Sequence, residues 1–125
     1  MDEASLYVRL GGEAAVMAAC STFYERLVAD ELLARFFVGL DIDVLTAKQV
    51  GFLSRSFGGP KAYQGRPLRQ SHARLVKEHG LSDQHFDRIT LHLCETLAEL
   101  DVPAPLIKEV SAIVENTRSE VLGRS

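Results

Sequence analysis

Apolar positions recur along most of this chain at intervals of three and four, the spacing of helices that bury one face. From Glu13 to Ala29 they are Val16, Cys20, Phe23, Tyr24, Leu27 and Val28, after a Gly11-Gly12 pair that closes a short opening segment. Asp30 starts a short turn that runs to Phe36-Phe37 and closes at Gly39. Asp41 or Asp43 suits the N-cap of the next helix, because a short carboxylate accepts from the free N–H groups of a first turn. That helix carries the stripe Ile42, Leu45, Gln49, Phe52, Leu53 and Ser56, and Gly58-Gly59-Pro60 stops it. Residues 61–66 read as a loop with Tyr63 as its one aromatic. Pro67 fits a first helical turn, and Leu68, His72, Leu75 and Val76 then share a face up to His79-Gly80. Ser82 is placed to cap a long helix bearing Phe86, Ile89, Leu93 and Leu97. Pro103 and Pro105 open a last helix through Leu106, Val110, Ile113, Val114 and Val121. No strand-like alternation, internal repeat or low-complexity tract interrupts this pattern. The expectation is an all-α fold with four main helices and shorter pieces, and 125 residues fit one domain over 1–125.

Composition narrows the class without naming a function. Apolar residues make up 46% and charged residues 25%, as in ordinary globular proteins, and no apolar run approaches a membrane span. Met1-Asp2-Glu3 is acidic, unlike the basic start of a secretory leader. Two cysteines, Cys20 and Cys94, are too few for a disulfide framework or a zinc site, and both lie in apolar helical patterns. They read as buried free thiols, which points to a reduced, cytoplasmic setting.

Charge changes the picture more. Val44 to Lys77 holds seven basic residues (Lys48, Arg55, Lys61, Arg66, Arg69, Arg74 and Lys77) and no acidic one. The chain is −3 overall, so this +7 stretch leaves −10 for the rest. A basic centre in an acidic chain implies an anionic partner there. Three polar residues also stand on apolar faces: Tyr24, Gln49 and His72. Each alone has an ordinary structural reading, as a core-edge tyrosine bonded to a carbonyl, a buried glutamine bonded to a neighbouring helix, or a satisfied core histidine. Together, from three different helices, they suit an oxygen-binding haem. A neutral imidazole is an axial iron donor. A phenol O–H and an amide N–H donate to a bound ligand without adding charge. Propionates would be the anion, and Phe37 and Phe86 could pack against a porphyrin.

The ordered motifs resemble those of the truncated haemoglobins, small globins with a two-over-two helical sandwich, and of their group I (N-type) branch. The residues that carry the likeness are Leu6-Tyr7, Leu10-Gly11-Gly12, Phe23-Tyr24-Glu25-Arg26, Phe36-Phe37, Lys48-Gln49, Phe57-Gly58-Gly59-Pro60, Tyr63-Gln64-Gly65, His72-Ala73, Gly80-Leu81 and His85-Phe86. The resemblance implies haem b (iron protoporphyrin IX) with His72 as proximal iron ligand and Tyr24 and Gln49 as distal hydrogen-bond donors. It implies a pocket of Phe37, Leu45, Lys48, Phe52, Leu53, Tyr63, Leu68, Arg69, Leu75 and Phe86. It also implies that the segment before His72 is largely extended, against the helix that Pro67 suggests. Leu45 stands where many globins have a distal His or Gln. Lys48 stands where some relatives have an internal distal histidine; it is either a surface lysine reaching a propionate or a sixth iron ligand. Some relatives attach haem through a histidine near the C-terminus, and no histidine follows His92 here. His79, His85 and His92 have no zinc spacing and read as surface or boundary residues.

The functions implied are reversible binding of O2, CO and NO, with nitric oxide dioxygenation supported by an external reductase. Ligand storage or transport without turnover is a second reading, and a six-coordinate redox or sensor protein with Lys48 on iron a third. A basic helical module for nucleic acid lacks a helix-turn-helix pattern. A monomer without nucleic-acid or membrane partners is the expectation.

Overall fold

The computed structural model describes residues 5–57 and 68–123. The short α1 (Leu6–Arg9) leads into α2 (Gly12–Ala29), then a 3-10 turn (Ala34–Phe37), α3 (Ile42–Ser56), α4 (Leu68–His79), α5 (Asp83–Glu99), α6 (Ala104–Glu115) and the one-turn α7 (Arg118–Val121). No strand occurs among the described residues. Five helices of 12 to 18 residues, rather than the four expected, make the frame among the described residues. The Gly58-Gly59-Pro60 stop and the 61–66 loop with Tyr63 lie outside the described residues, as do the side chains of Leu68, Arg69 and His79. The residues just before His72 are helical from Leu68, not extended as the resemblance implied, because the helix that Pro67 suggests has already begun there.

Local chemistry sets the ends. Gly11 sits at φ 115°, and a Cβ there would approach the Ala15 Cβ to 2.8 Å, so a side chain is excluded twice over. Asp41 rather than Asp43 caps α3, its carboxylate accepting from the Asp43 and Val44 N–H groups at 3.0 and 3.2 Å. Gly80, at φ 72°, turns the chain out of α4. Ser82 caps α5 as expected, but with an unforeseen partner. The Ser82 N–H donates to Nδ1 of His85 at 3.1 Å, a capping box in which a histidine takes the usual glutamate's place.

The last helix departs from the sequence pattern. It is broken at Asn116–Thr117, where the Thr117 hydroxyl donates to the Val114 carbonyl at 2.7 Å. Such a side-chain bond competes with the helical ladder. Beyond the break, Arg118 bonds Asp83 on α5 at 3.0 Å and also reaches Asp87 and Glu115. Its guanidinium lies 4.5 Å from the centroid of the Phe86 ring.

α2 is the central element, packing on α3, α5 and α1, while α5 also carries α6. Its inner face (Val16, Ala19, Cys20, Phe23, Tyr24 and Leu27) meets Val50, Leu53, Phe86, Leu93, Leu97 and Val110 in one core. Burying each large apolar side chain contributes about 1.5–3 kcal/mol, so this interior dominates the stabilisation. The ion pairs of Arg9 with Glu109 and of Arg26 with Glu95 and Glu99 lie at the surface, where water and salt screen them, and contribute little. Between α2, α3, α5 and α6 lies an apolar cavity of about 230 Å³, lined in part by Ala15, Ala19, Leu53, Phe57, Leu97 and Val110. No described helix is long and apolar enough to cross a membrane.

Candidate functional site

Tyr24 stands on the inner face of α2 and is 9% exposed. Its ring meets Phe23 edge-on at 5.5 Å and Phe37 at 6.0 Å with the planes perpendicular. Edge-to-face contacts of this kind fix ring orientation and add about 0.5–1.5 kcal/mol beyond burial. The 3-10 turn exists at this point because Phe36 is driven into the core, 4% exposed, which leaves its neighbour Phe37 half-buried and turned to Tyr24.

α3 supplies Leu45, Gln49 and Phe52, spaced four and three residues apart on one face and all half-buried. Lys48, next along the helix, is exposed, as is Arg55. α4 supplies His72, half-buried, with Leu75 and Val76 half-buried a turn further on. Among the described residues α3 packs chiefly on α2, whereas α4 packs on α7 and on the 3-10 turn. Leu45, Phe52, Phe37, Leu75 and Val76 pack against the core and are partly buried. They come from α3, the 3-10 turn and α4; Gln49 stands on the first of these and His72 on the last.

The sequence-derived residues do not all meet in the same place. Tyr24 and Phe37 are in direct contact. Leu53 is 3% exposed and lines the interior cavity, and Phe86 lies deep under Arg118. Tyr63 and the side chains of Leu68 and Arg69 are outside the described residues.

The other histidines have structural duties. His85 is not the surface or boundary residue expected but a buried one: it is 6% exposed, edge-on to Phe36 at 5.0 Å, with the Arg35 guanidinium 3.5 Å from its Nε2. Burial, and next the charge of Arg35, hold it below the usual histidine pKa of 6.5. His92 is half-buried, and its Nε2–H donates to Asp30 at 2.7 Å. Hydrogen bonds from His92 first, and then from Arg88, hold the Asp30 carboxyl down to about 2. Cys20 is buried as expected, while Cys94 is only half-buried. The capping role of His85 had one sequence signal, its place three residues after Ser82. The Asp30–His92 bond joins residues far apart in the chain and had none.

A large flat apolar group with a ligating metal and two carboxylates fits this set. The half-buried row would offer apolar contact, Tyr24 and Gln49 uncharged donors and His72 an imidazole, and the exposed Lys48 and Arg55 would offer cations for the carboxylates.

A family profile described as bacterial-like globin matches residues 5–122. A group 1 truncated haemoglobin of Synechocystis sp. is 43% identical over 109 residues, covering 87% of this chain and 88% of that protein. The crystal structure of a 2/2 haemoglobin from Synechococcus sp., in the cyanomet state and with covalently attached haem, matches with a TM-score of 0.93 at 45% identity, covering 97% of this chain and all of that one. The truncated haemoglobin of Tetrahymena pyriformis in its Fe(III) form matches with a TM-score of 0.88 at 38% identity, over 95% of this chain and 98% of that one. The chain belongs to the bacterial-like globins, and within them to the group 1 truncated haemoglobins: it is a haem-binding globin with the two-over-two helical fold.

Proposed function

We propose that the protein binds O2 reversibly at a haem b held by His72, and that it uses the bound ligand in nitric oxide dioxygenation with an external reductant. Bound haem supplies an iron that takes up O2, CO or NO and at which nitric oxide and O2 can be combined to nitrate. His72 would hold the iron through one nitrogen of a neutral imidazole. The Tyr24 O–H and the Gln49 amide N–H would donate hydrogen bonds to the bound ligand. Leu45 and Phe52 keep water away, so these donors act in a low dielectric where each hydrogen bond counts for more. Lys48 is exposed and keeps its hydration, which favours pairing with a propionate over ligation of iron.

The observation that carries this reading is the perpendicular contact of Tyr24 with Phe37, which holds a phenol inside an otherwise apolar wall. The test is the visible spectrum of the purified protein, as isolated and after reduction, with and without carbon monoxide. The expected result is a Soret band that shifts with carbon monoxide, and its loss in His72→Ala. Normal haem content in that variant would remove His72 from the site.

A further inference from the structure

Asp30 stands at the joint between α2 and the 3-10 turn. Its N–H donates to the Leu27 carbonyl at 3.2 Å, and its own carbonyl accepts from Leu33 and Ala34 at 2.9 and 2.8 Å. The side chain is 6% exposed, yet it is a carboxylate. It accepts from the Leu32 N–H at 2.9 Å, from Arg88 Nε at 2.6 Å and from His92 Nε2 at 2.7 Å. Arg88 and His92 are one turn apart on α5, so both reach the same carboxylate oxygen from one helix face. Among the described residues, Nδ1 of His92 is buried with no hydrogen-bond partner, and the bond to Asp30 is the one that orients the ring.

This corner has a particular relation to the distal site. Tyr24 precedes Asp30 by six residues on α2, and Phe37 follows it by seven at the end of the 3-10 turn. The two rings close a circuit at 6.0 Å, and Asp30 lies at its midpoint, tied to α5. Moving the corner relative to α5 changes the angle at which the 3-10 turn leaves α2, and so where Phe37 meets Tyr24.

We propose that Asp30, through its clasp on Arg88 and His92, is a positioning residue that sets the direction of the Tyr24 hydroxyl. It touches neither haem nor ligand and acts through the Tyr24–Phe37 contact. The proposal rests on the assignment of Tyr24 as a ligand donor.

The test compares O2 dissociation from the haem-loaded parent, Asp30→Asn, Tyr24→Phe and the double variant. Asp30→Asn should speed O2 loss roughly three- to tenfold in the parent, the scale of one weakened hydrogen bond, and have no effect once Tyr24 is Phe. Equal acceleration in both backgrounds would mean general loosening and overturn the proposal, as would no acceleration where Tyr24→Phe itself accelerates. His92→Gln keeps an N–H donor for Asp30 and should stay near the parent. His92→Leu should behave as Asp30→Asn, and identical behaviour of the two His92 variants counts against the clasp. A readout independent of ligand release is the NMR signal of the Tyr24 ring in the purified protein, assigned with Tyr24→Phe. Asp30→Asn should move that signal and leave that of Tyr7 in place. If Tyr24→Phe leaves O2 release unchanged, the donor assignment fails. The clasp is then judged on this signal alone, and an unmoved Tyr24 ring sinks it.

Discussion

The three polar residues on apolar faces were legible because periodicity alone exposes such a conflict: a helix stripe that is apolar at every turn but one marks that one. The structure bears out the burial of Tyr24 and the half-buried positions of Gln49 and His72. It adds what periodicity cannot carry, the ring of Phe37 set perpendicular to Tyr24 from a different element. Replacing Tyr24 by Phe keeps both aromatic contacts and removes one donor. O2 should then dissociate several-fold faster, the effect of losing about 1–2 kcal/mol, as measured by stopped-flow displacement. His85 and His92 were misjudged or left open at this scale because their partners are a backbone N–H and a carboxylate remote in sequence. Spacing gives one signal for the first, His85 three residues after Ser82, and none for the second.

At the scale of elements, helix positions followed the sequence closely, since α2, α3, α4 and α5 begin and end within a residue or two of their expected signals. The last helix did not, because a threonine hydroxyl and an arginine reaching for α5 outweigh a continuing apolar stripe. The cap of α5 has a pH consequence. His85 accepts from Ser82 only while Nδ1 is unprotonated, and its folded-state pKa lies below 6.5. The folded protein therefore binds this proton less readily than the unfolded chain does. The contribution to stability is complete above 6.5 and is lost as the pH falls from there through the lowered folded value. His85→Gln retains an acceptor for the Ser82 N–H but does not titrate. Its melting temperature should respond less to acidification over this window than that of the parent. His85→Ala should lose about 1 kcal/mol at neutral pH, measured by denaturant unfolding, as capping losses typically do.

At the scale of the molecule, the charge split between Val44–Lys77 and the remainder pointed to an anionic group at the centre of the fold, and membership of a haem-binding family is consistent with it. The interior cavity was not legible, because a void is set by how Ala15 and Ala19 face Leu53 and Leu97 across three helices, not by their identities. A further consequence concerns stability. Phe37, Leu45, Phe52, Leu75 and Val76 are only partly buried, so a group that covers their remaining surface is part of the folding equilibrium. At free haem a hundredfold above its Kd, binding adds about 2.7 kcal/mol, so the haem-loaded protein should melt about 10 °C or more above the haem-free form in calorimetry.

Cys20 lies at the meeting of α2 with its neighbours, 1% exposed, its pKa pushed by burial up to about 12. At neutral pH it is neither reachable nor ionised, so an alkylating reagent finds it only in molecules whose central helix has come away from the rest. The chain thus holds its own stopwatch. Counting modified Cys20 against time, with the half-buried Cys94 scored apart, measures how often the whole molecule opens, and the slowing of that count on adding haem measures how firmly the cofactor holds it shut.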